Sequence, residues 1–382
     1  LLFLIAAPIS LIMWLVLRIL SRKYKISIYV LPTFRPGIAS MYLSTIEPLC
    51  RELQHNRDPK HFTILVNPQE EISEVLTKSY EPHFSFYLDD RRKFARLVAY
   101  LIPQKGLQKF YLTGKREFDS GWVYPPSKNY VSRGIEVPND LRKLDIGIES
   151  YVLFVHPSSN YYQKRFPKSV VTSFLQTNID LINYEQPLSA LINQGLQIVR
   201  VGTHVDEFPK LIKGLPIIDY ALGKREETSE LWLYENCKFL ISATSGAYWF
   251  ARRFDRPTLL TNSYALPFGY FSTLYTPMTF RSTETGHLLS FAEMLKIRHD
   301  PNFLQKQFMN DSQLELLPNS SLTIANAVDE MLNLGIEKFE TTPEDLELMD
   351  RYKMILTSFN IPIVEKMTLP TFSFLREYSN LL

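Results

Sequence analysis

Residues Ile198–Phe208 read IVRVGTHVDEF, and Leu233–Asn262 read LYENCKFLISATSGAYWFARRFDRPTLLTN. Across this stretch short β-rich apolar runs (Gln197–Val201, Phe239–Ser242, Thr258–Leu260) alternate with helix-like runs (Glu230–Cys237, Ala247–Phe254). Parallel strands need a crossover between them, so the alternation predicts βαβ units and a parallel sheet. At Thr244-Ser245-Gly246 small residues carry the chain from a strand ending at Ala243 into a helix beginning near Ala247. Unpaired backbone N–H groups at such a turn, with the positive end of the helix dipole, make a seat for an anion. The same three residues also fit a plain strand–turn–helix connection, and the motif alone does not choose.

Upstream, Tyr151–Val155 (YVLFV) is a further strand, ending in the polar run His156-Pro157-Ser158-Ser159-Asn160. Ligands of open α/β sheets bind at the carboxyl ends of strands, which makes this run a candidate site. His156 fits a phosphate-orienting or proton-accepting role there, or a loop histidine with no role. Asn178–Leu191 reads as a helix feeding the next strand. Downstream, the run from Thr261 to Phe280 is rich in aromatics and proline and reads as a loop over the cleft or an edge. Two helical patterns close the chain, Leu322–Leu334 and Pro343–Leu356, the second with Thr342 as N-cap and Glu344 and Asp345 in its first turn.

The earlier part repeats the pattern. Lys25–Pro32 (KISIYVLP) and His61–Val66 (HFTILV) are strand candidates, with helices expected over Met41–Leu53 and Glu70–Ser79. Strand, glycine-containing loop and helix form the first unit of a Rossmann-like domain. Asp89–Leu101 has an apolar face (Phe94, Leu97, Val98, Leu101) ringed by Arg91, Arg92, Lys93 and Arg96, which suits a helix packed on a sheet or one lying on anionic lipid. Residues 103–148 are rich in Gly, Pro, Tyr and charge and read as irregular. The expected organisation is a membrane anchor over 1–20, a Rossmann-like domain over 24–148, a second over 149–300 and a helical tail over 301–382.

The anchor rests on Leu1–Leu17, a run without charge, followed at once by Arg18, Arg22, Lys23 and Lys25. With Ile19 and Leu20 it reaches the roughly 17–25 residues a span needs. Basic residues on its C-terminal side place the remainder in the cytoplasm by the positive-inside rule, anchored in the inner membrane. The alternative is a buried or interfacial helix.

Composition narrows the class. Hydrophobic residues are 45% and charged residues 21%, a globular balance, and a net charge of +2 gives no reason to expect nucleic-acid binding. Two cysteines, Cys50 and Cys237, sit far apart in apolar runs, which excludes a disulfide framework and a cysteine zinc site. Walker A, G-x-G-x-x-G, G-x-S-x-G and H-E-x-x-H sequences are absent, as is any Asp-x-Asp triplet. No metal site and no cofactor are expected. What remains is a set of polar groups at the strand ends of the second half: His156, Ser158 and Ser159; Arg200, Gly202 and Thr203; Asp219; Thr244, Ser245 and Gly246. A metal-free site for a departing diphosphate needs a cation and backbone amides. The planar fork of Arg200 suits phosphate oxygens, unless it is taken by an ion pair with a neighbouring carboxylate such as Asp219.

Taken together, YVLFVHPSSNYY, NIDLINYEQPLSALINQGLQIVRVGTHV, IIDYA, the Leu233–Asn262 run and TPEDLELMDRYKMIL resemble a family of bacterial glycosyltransferases found with capsule, O-antigen and other surface-polysaccharide genes. The likeness covers roughly Lys25 to Leu356 and is strongest from Tyr151 to Asn262. It implies a GT-B architecture of two Rossmann-like domains, with a nucleotide-sugar held mainly by the second. The acceptor would be a glycan or lipid-linked glycan, with polysaccharide-assembly proteins as further partners. Asp219 and the Thr203 region would meet ribose or base, and the backbone amides at Ser245–Gly246 the diphosphate. Arg35 and Gly37 approximate the family's acceptor-side loop, without its histidine. Glu47, His83 and Asp89 are general-base candidates by residue type alone. More remotely the chain resembles fucosyltransferases that carry an arginine after this domain's first strand. Here Pro157 stands where the arginine would be and Ser158 where an acid would come next, and proline supplies neither charge nor an N–H. Either Arg200 or Lys164 and Arg165 would take over phosphate neutralisation, or donor binding is altered or lost. A catalytically inactive homologue that binds glycan or scaffolds polysaccharide assembly is therefore the competing reading, and a sugar-nucleotide epimerase a remoter one.

Overall fold

A computed structural model of the chain describes residues 12, 15–30, 61–66, 86–88, 136–156, 180–202, 205–223, 225–243, 248–263, 273–299, 313–334, 341–361, 363 and 368–382. It divides into two compact units, Leu1–Val131 and Ser132–Leu382.

In the first unit β1 (Lys25–Val30), β2 (His61–Val66) and β3 (Phe86–Leu88) form a parallel sheet in that order. Lys25 pairs with His61 and Val30 with Val66, while Ile64 lies opposite Phe86. Ile28 and Val66 are buried. Both expected strands form, over His61–Val66 and the first six residues of KISIYVLP. The helices expected over 41–53, 70–79 and 89–101 lie outside the described residues, as do Arg35, Gly37, Glu47, His83 and Asp89. Among the described residues no helix is long and apolar enough to cross a membrane.

The second unit is an α/β structure on one parallel sheet. Its strands are β4 (Tyr151–Val155), β5 (Gln197–Arg200), β6 (Ile217–Asp219), β7 (Phe239–Ala243), β8 (Thr258–Ser263), β9 (Leu274–Pro277) and β12 (Leu369–Pro370). Between the last two run β10 (Thr279–Ser282) and β11 (Leu314–Leu317), an antiparallel pair of their own. The seven-stranded order is β12-β9-β8-β7-β4-β5-β6, with every neighbouring pair parallel. From β4 the chain winds one way through β5 and β6, then returns to β7 and winds the other way. The reversal lies between β4 and β7, and open α/β sheets bind ligands at the carboxyl side of that point.

Helices between the strands cover the sheet, which is why β4, β7 and β8 are buried along their whole length. Val152, Phe154, Ile198, Phe239, Ile241 and Leu259 pack in one core with Leu188 and Leu191 of the helix Glu185–Asn193 and Ile324, Ala327 and Val328 of the helix Ser321–Asn333. The helix expected over 178–191 starts as a 3-10 turn, Leu181–Tyr184, in which the Asp180 carboxylate accepts the Ile182 N–H at 3.0 Å. Helices at Glu227–Asn236 and Tyr248–Arg253 stand within one or a few residues of their expected bounds.

The aromatic and proline-rich run beyond Asn262 contributes β9, a strand second from the edge and buried throughout. A strand buried on both faces shows no alternation, and Pro277 sits at its last residue, so the run looks like loop in sequence. The tail is part of this unit. Helix Pro343–Ser358 has a complete capping box between Thr342 and Asp345. The Glu330 carboxylate accepts the Phe372 and Ser373 N–H groups at 2.8 and 3.1 Å, tying the helix Phe372–Glu377 to the helix Ser321–Asn333.

Candidate functional site

The carboxyl edge of the seven-stranded sheet gathers the described candidates. His156 comes directly after β4 and is 4% exposed, its ring edge-on to Tyr184 at 5.6 Å and tilted against Phe154 at 6.4 Å. Ser158 and Ser159 lie outside the described residues. β5 delivers Arg200 one strand away, and the Val201 N–H donates to the Phe154 carbonyl at 3.1 Å, keeping the two strand ends in step. Gly202 then turns the chain at φ +133°, a backbone conformation suited to glycine, and a Cβ there would stand 3.1 Å from Val205 Cγ1. Thr203 lies outside the described residues.

Arg200 is fully buried. Its Nη1 donates to Asp219 Oδ2 at 3.2 Å, its Nη2 donates to the Asp206 carbonyl, and its guanidinium lies over the Phe208 ring at 4.0 Å. The β5–β6 pairing sets Arg200 directly opposite Asp219, so the ion pair arises from strand register. Burial pulls the Arg200 pKa down, against the opposing pull of Asp219 and Asp206. The ion pair with Asp219 thus competes with a phosphate-binding role, and the buried guanidinium is turned to Asp219 and the Asp206 carbonyl. Arg200 Nε and Asp219 Oδ1 are buried without a hydrogen-bond partner. A buried donor and a buried acceptor left unsatisfied are each costly in a packed interior.

A second charged pair stands beside the Gly202 turn. Arg225 and Glu230 are ion-paired, with only 22% and 16% of their side chains exposed. Burial pushes the Glu230 carboxyl above its ordinary value of 4.5, and Arg225 and the Gly202 N–H act against that rise. Tyr220 donates to Asp140 at 2.8 Å and accepts the Glu226 N–H at 3.0 Å, and Ser229 also donates to Asp140 at 2.7 Å. The segment after β6 is thereby fastened to the helix Asn139–Arg142.

On the other side of the switch point, Thr244, Ser245 and Gly246 fall between the end of β7 and the helix Tyr248–Arg253, outside the described residues. A polar network at the end of β8 has no counterpart among the residues expected from sequence. Asn262 and Asn319 hold each other reciprocally: each backbone N–H donates to the other's Oδ1 at 2.6 Å. Asn319 also accepts from Thr276 at 2.8 Å and donates to the Pro277 carbonyl at 2.8 Å. Asn262 Nδ2 donates to the Tyr184 hydroxyl at 3.1 Å, and that hydroxyl meets Thr261 Oγ1 at 2.7 Å. The network ties β8, β9 and the start of the helix Ser321–Asn333 to Tyr184, the residue on which His156 rests. Its one local signal is Asn262, whose φ of +52° asparagine tolerates better than most residues.

Among the described residues no three His, Cys, Asp or Glu side chains gather as metal ligands would. Cys237 is buried, and burial pushes its thiol up to about 12, so it is no nucleophile.

No family model matches the chain, and no curated protein matches it by sequence. Solved structures similar to it include E. coli ADP-heptose LPS heptosyltransferase II, at 15% identity and a TM-score of 0.40 over 66% of this chain and 90% of that one. A glycosyl transferase family 9 protein from Veillonella parvula gives 14% identity and a TM-score of 0.41 over 66% and 87%. A UDP-N-acetylglucosamine 2-epimerase gives 10% identity and a TM-score of 0.34 over 84% and 99%. At these values the likeness is loose and carries no functional weight.

Proposed function

We propose that the chain is a metal-independent glycosyltransferase of GT-B type, moving a sugar from a nucleotide-sugar donor to a surface-polysaccharide or lipid-linked glycan acceptor. The observation that carries the reading is the winding of the seven-stranded sheet. Its reversal brings His156, at the end of β4, beside the end of β7, from which the small-residue turn Thr244-Ser245-Gly246 departs. Two of the sequence blocks that resemble glycosyltransferases supply β4 and β7 themselves.

In this reading the backbone amides of Ser245 and Gly246 receive the diphosphate, with His156, Ser158 and Ser159 facing it from β4. Arg200 acts through what it holds: it pins the Asp206 carbonyl and Asp219, beside the Gly202 backbone and the Thr203 region expected to meet ribose or base. The acceptor oxygen bonds to the anomeric carbon, the bond from that carbon to the diphosphate oxygen breaks, and the acceptor proton passes to a general base. The nucleoside diphosphate leaves with the electron pair, stabilised by amides aimed at its oxygens.

Pro157 and the engagement of Arg200 favour one second reading, a homologue that binds nucleotide or glycan without turnover. Both are tested by thermal shift of the protein with a panel of nucleoside diphosphates and nucleotide-sugars, alongside Gly246→Val and His156→Ala. A ligand at a hundred times its dissociation constant stabilises by about 2.7 kcal/mol. Expected is a shift with one nucleotide, absent in both folded variants, and loss of the sugar when acceptor is added. Binding without transfer would establish the second reading, and no shift with any nucleotide would overturn the site.

A further inference from the structure

The helical segment ahead of β1 presents a face that its own unit leaves bare. Ile12, Leu15, Val16, Ile19 and Leu20 are all exposed, Ile12 at 61% and Ile19 at 63%. Their spacing sets them along one side of an α-helix. Leu17 falls off that stripe and is 7% exposed, so the segment has an inward side and an outward one. Five neighbouring aliphatic side chains facing water are a standing cost that contact with an apolar phase removes.

Charge is distributed just as unevenly. Arg18, Arg22, Lys23 and Lys25 are exposed, and no acidic residue occurs between Ile12 and Lys25. The turn carrying Arg22 and Lys23 is fixed to the helix: the Ser21 N–H donates to the Leu17 carbonyl and the Tyr24 N–H to the Leu20 carbonyl, each at 2.8 Å. Tyr24 in turn packs edge-on against Phe62 of β2 at 5.1 Å. The aliphatic stripe therefore gives way along the segment to a basic cluster, and Tyr24 holds the end of that cluster to the sheet.

That sequence of chemistries matches a bilayer read from acyl chains to headgroups. A protein groove able to cover the stripe would have no reason to require four cations crowded at one end. We propose that this face binds a membrane surface rich in anionic lipid, with Leu15, Val16 and Ile19 entering the acyl region and Arg18, Arg22, Lys23 and Lys25 meeting headgroup phosphates. The inference is independent of the glycosyl-transfer reading, because no residue of the sheet edge takes part.

The test is flotation of the full chain with vesicles of phosphatidylcholine alone and with a third phosphatidylglycerol. Three variants accompany it: Leu15→Asn/Val16→Asn/Ile19→Asn, Arg18→Gln/Arg22→Gln/Lys23→Gln/Lys25→Gln, and Leu211→Asn, an exposed leucine of the second unit (66%). Melting curves check that each variant folds; should the stripe variant fail to fold, the charge variant still decides. The wild-type chain and Leu211→Asn should float with the anionic vesicles. The stripe variant should bind at least about tenfold more weakly. The charge variant should lose on the order of a hundredfold on anionic vesicles and little on neutral ones, and added salt should mimic it. Equal binding to both vesicle types, equal binding by the charge variant and wild type, or no flotation at all would overturn the proposal.

Discussion

The carboxyl edge of the seven-stranded sheet is built in two chemistries on either side of its switch point. On the β5–β6 side the interior polar groups are charged: Arg200 with Asp219, and Arg225 with Glu230. On the β8–β9 side they are neutral: Tyr184, Thr261, Asn262, Thr276 and Asn319, joined through short hydrogen bonds. The neutral side satisfies its members within itself and rigidifies what it joins. The charged side keeps buried atoms without a hydrogen-bond partner, Arg200 Nε and Asp219 Oδ1 among them, and holds a carboxyl whose ionisation burial opposes. One side is therefore a frame, and the other is poised to rearrange when its electrostatics change.

Removing the hub of the frame should have the largest effect. Asn319→Ala leaves the Asn262 amide, Thr276 and the Pro277 carbonyl without partners in a buried setting, and each such group costs about 1–3 kcal/mol. Urea unfolding should report a loss of about 3 kcal/mol or more, with the same value from pH 5 to 8. A loss that changed with pH over that range would break the contrast between the two sides.

Asp219→Asn comes next. It leaves the buried Arg200 without its counter-ion, and a broken buried pair costs about 3–5 kcal/mol. The Asp219 side chain is 24% exposed and the Asp206 carbonyl remains, so about 2 kcal/mol is expected, little altered by added salt. An effect near zero would mean that the pair is solvated and the β5–β6 side is open.

Thr261→Val keeps shape and removes only the hydroxyl beside Tyr184. About 1 kcal/mol should be lost, again flat with pH. The smallest effect, and the most diagnostic, belongs to Glu230. Its folded pKa is raised above the unfolded value, so the native state retains a proton that the unfolded chain has released. Stability should fall as pH rises from about 4.5 toward the raised value, and Glu230→Gln should flatten that part of the profile in guanidinium melts taken at stepped pH. A slope that survives the substitution would assign the pH response elsewhere.

Much of the framework is legible because its causes are local. Strands β4, β5, β7 and β8 stand out as apolar β-rich runs separated by helical ones, and Thr342 three residues before Asp345 announces a cap. β9 is hidden because a doubly buried strand has no period to read. Of the site, His156, Arg200, Gly202 and Asp219 emerge from one rule, that strand ends carry ligands in open sheets. Asn319 does not, since its partner lies 57 residues away and nothing in NSS before a helix marks it as more than a cap.

By itself the sequence determined the alternation of strand and helix, the Thr342 cap, and the apolar segment with its trailing cations, because each depends on residues a few positions apart. The tertiary structure decided the winding order, the pairing of Arg200 with Asp219, the Asn262–Asn319 lock and which side of the first helix faces outward. Those depend on register between segments far apart in the chain and on burial, which turns an arginine suited to phosphate into one already held, and a short-range pattern carries no record of either.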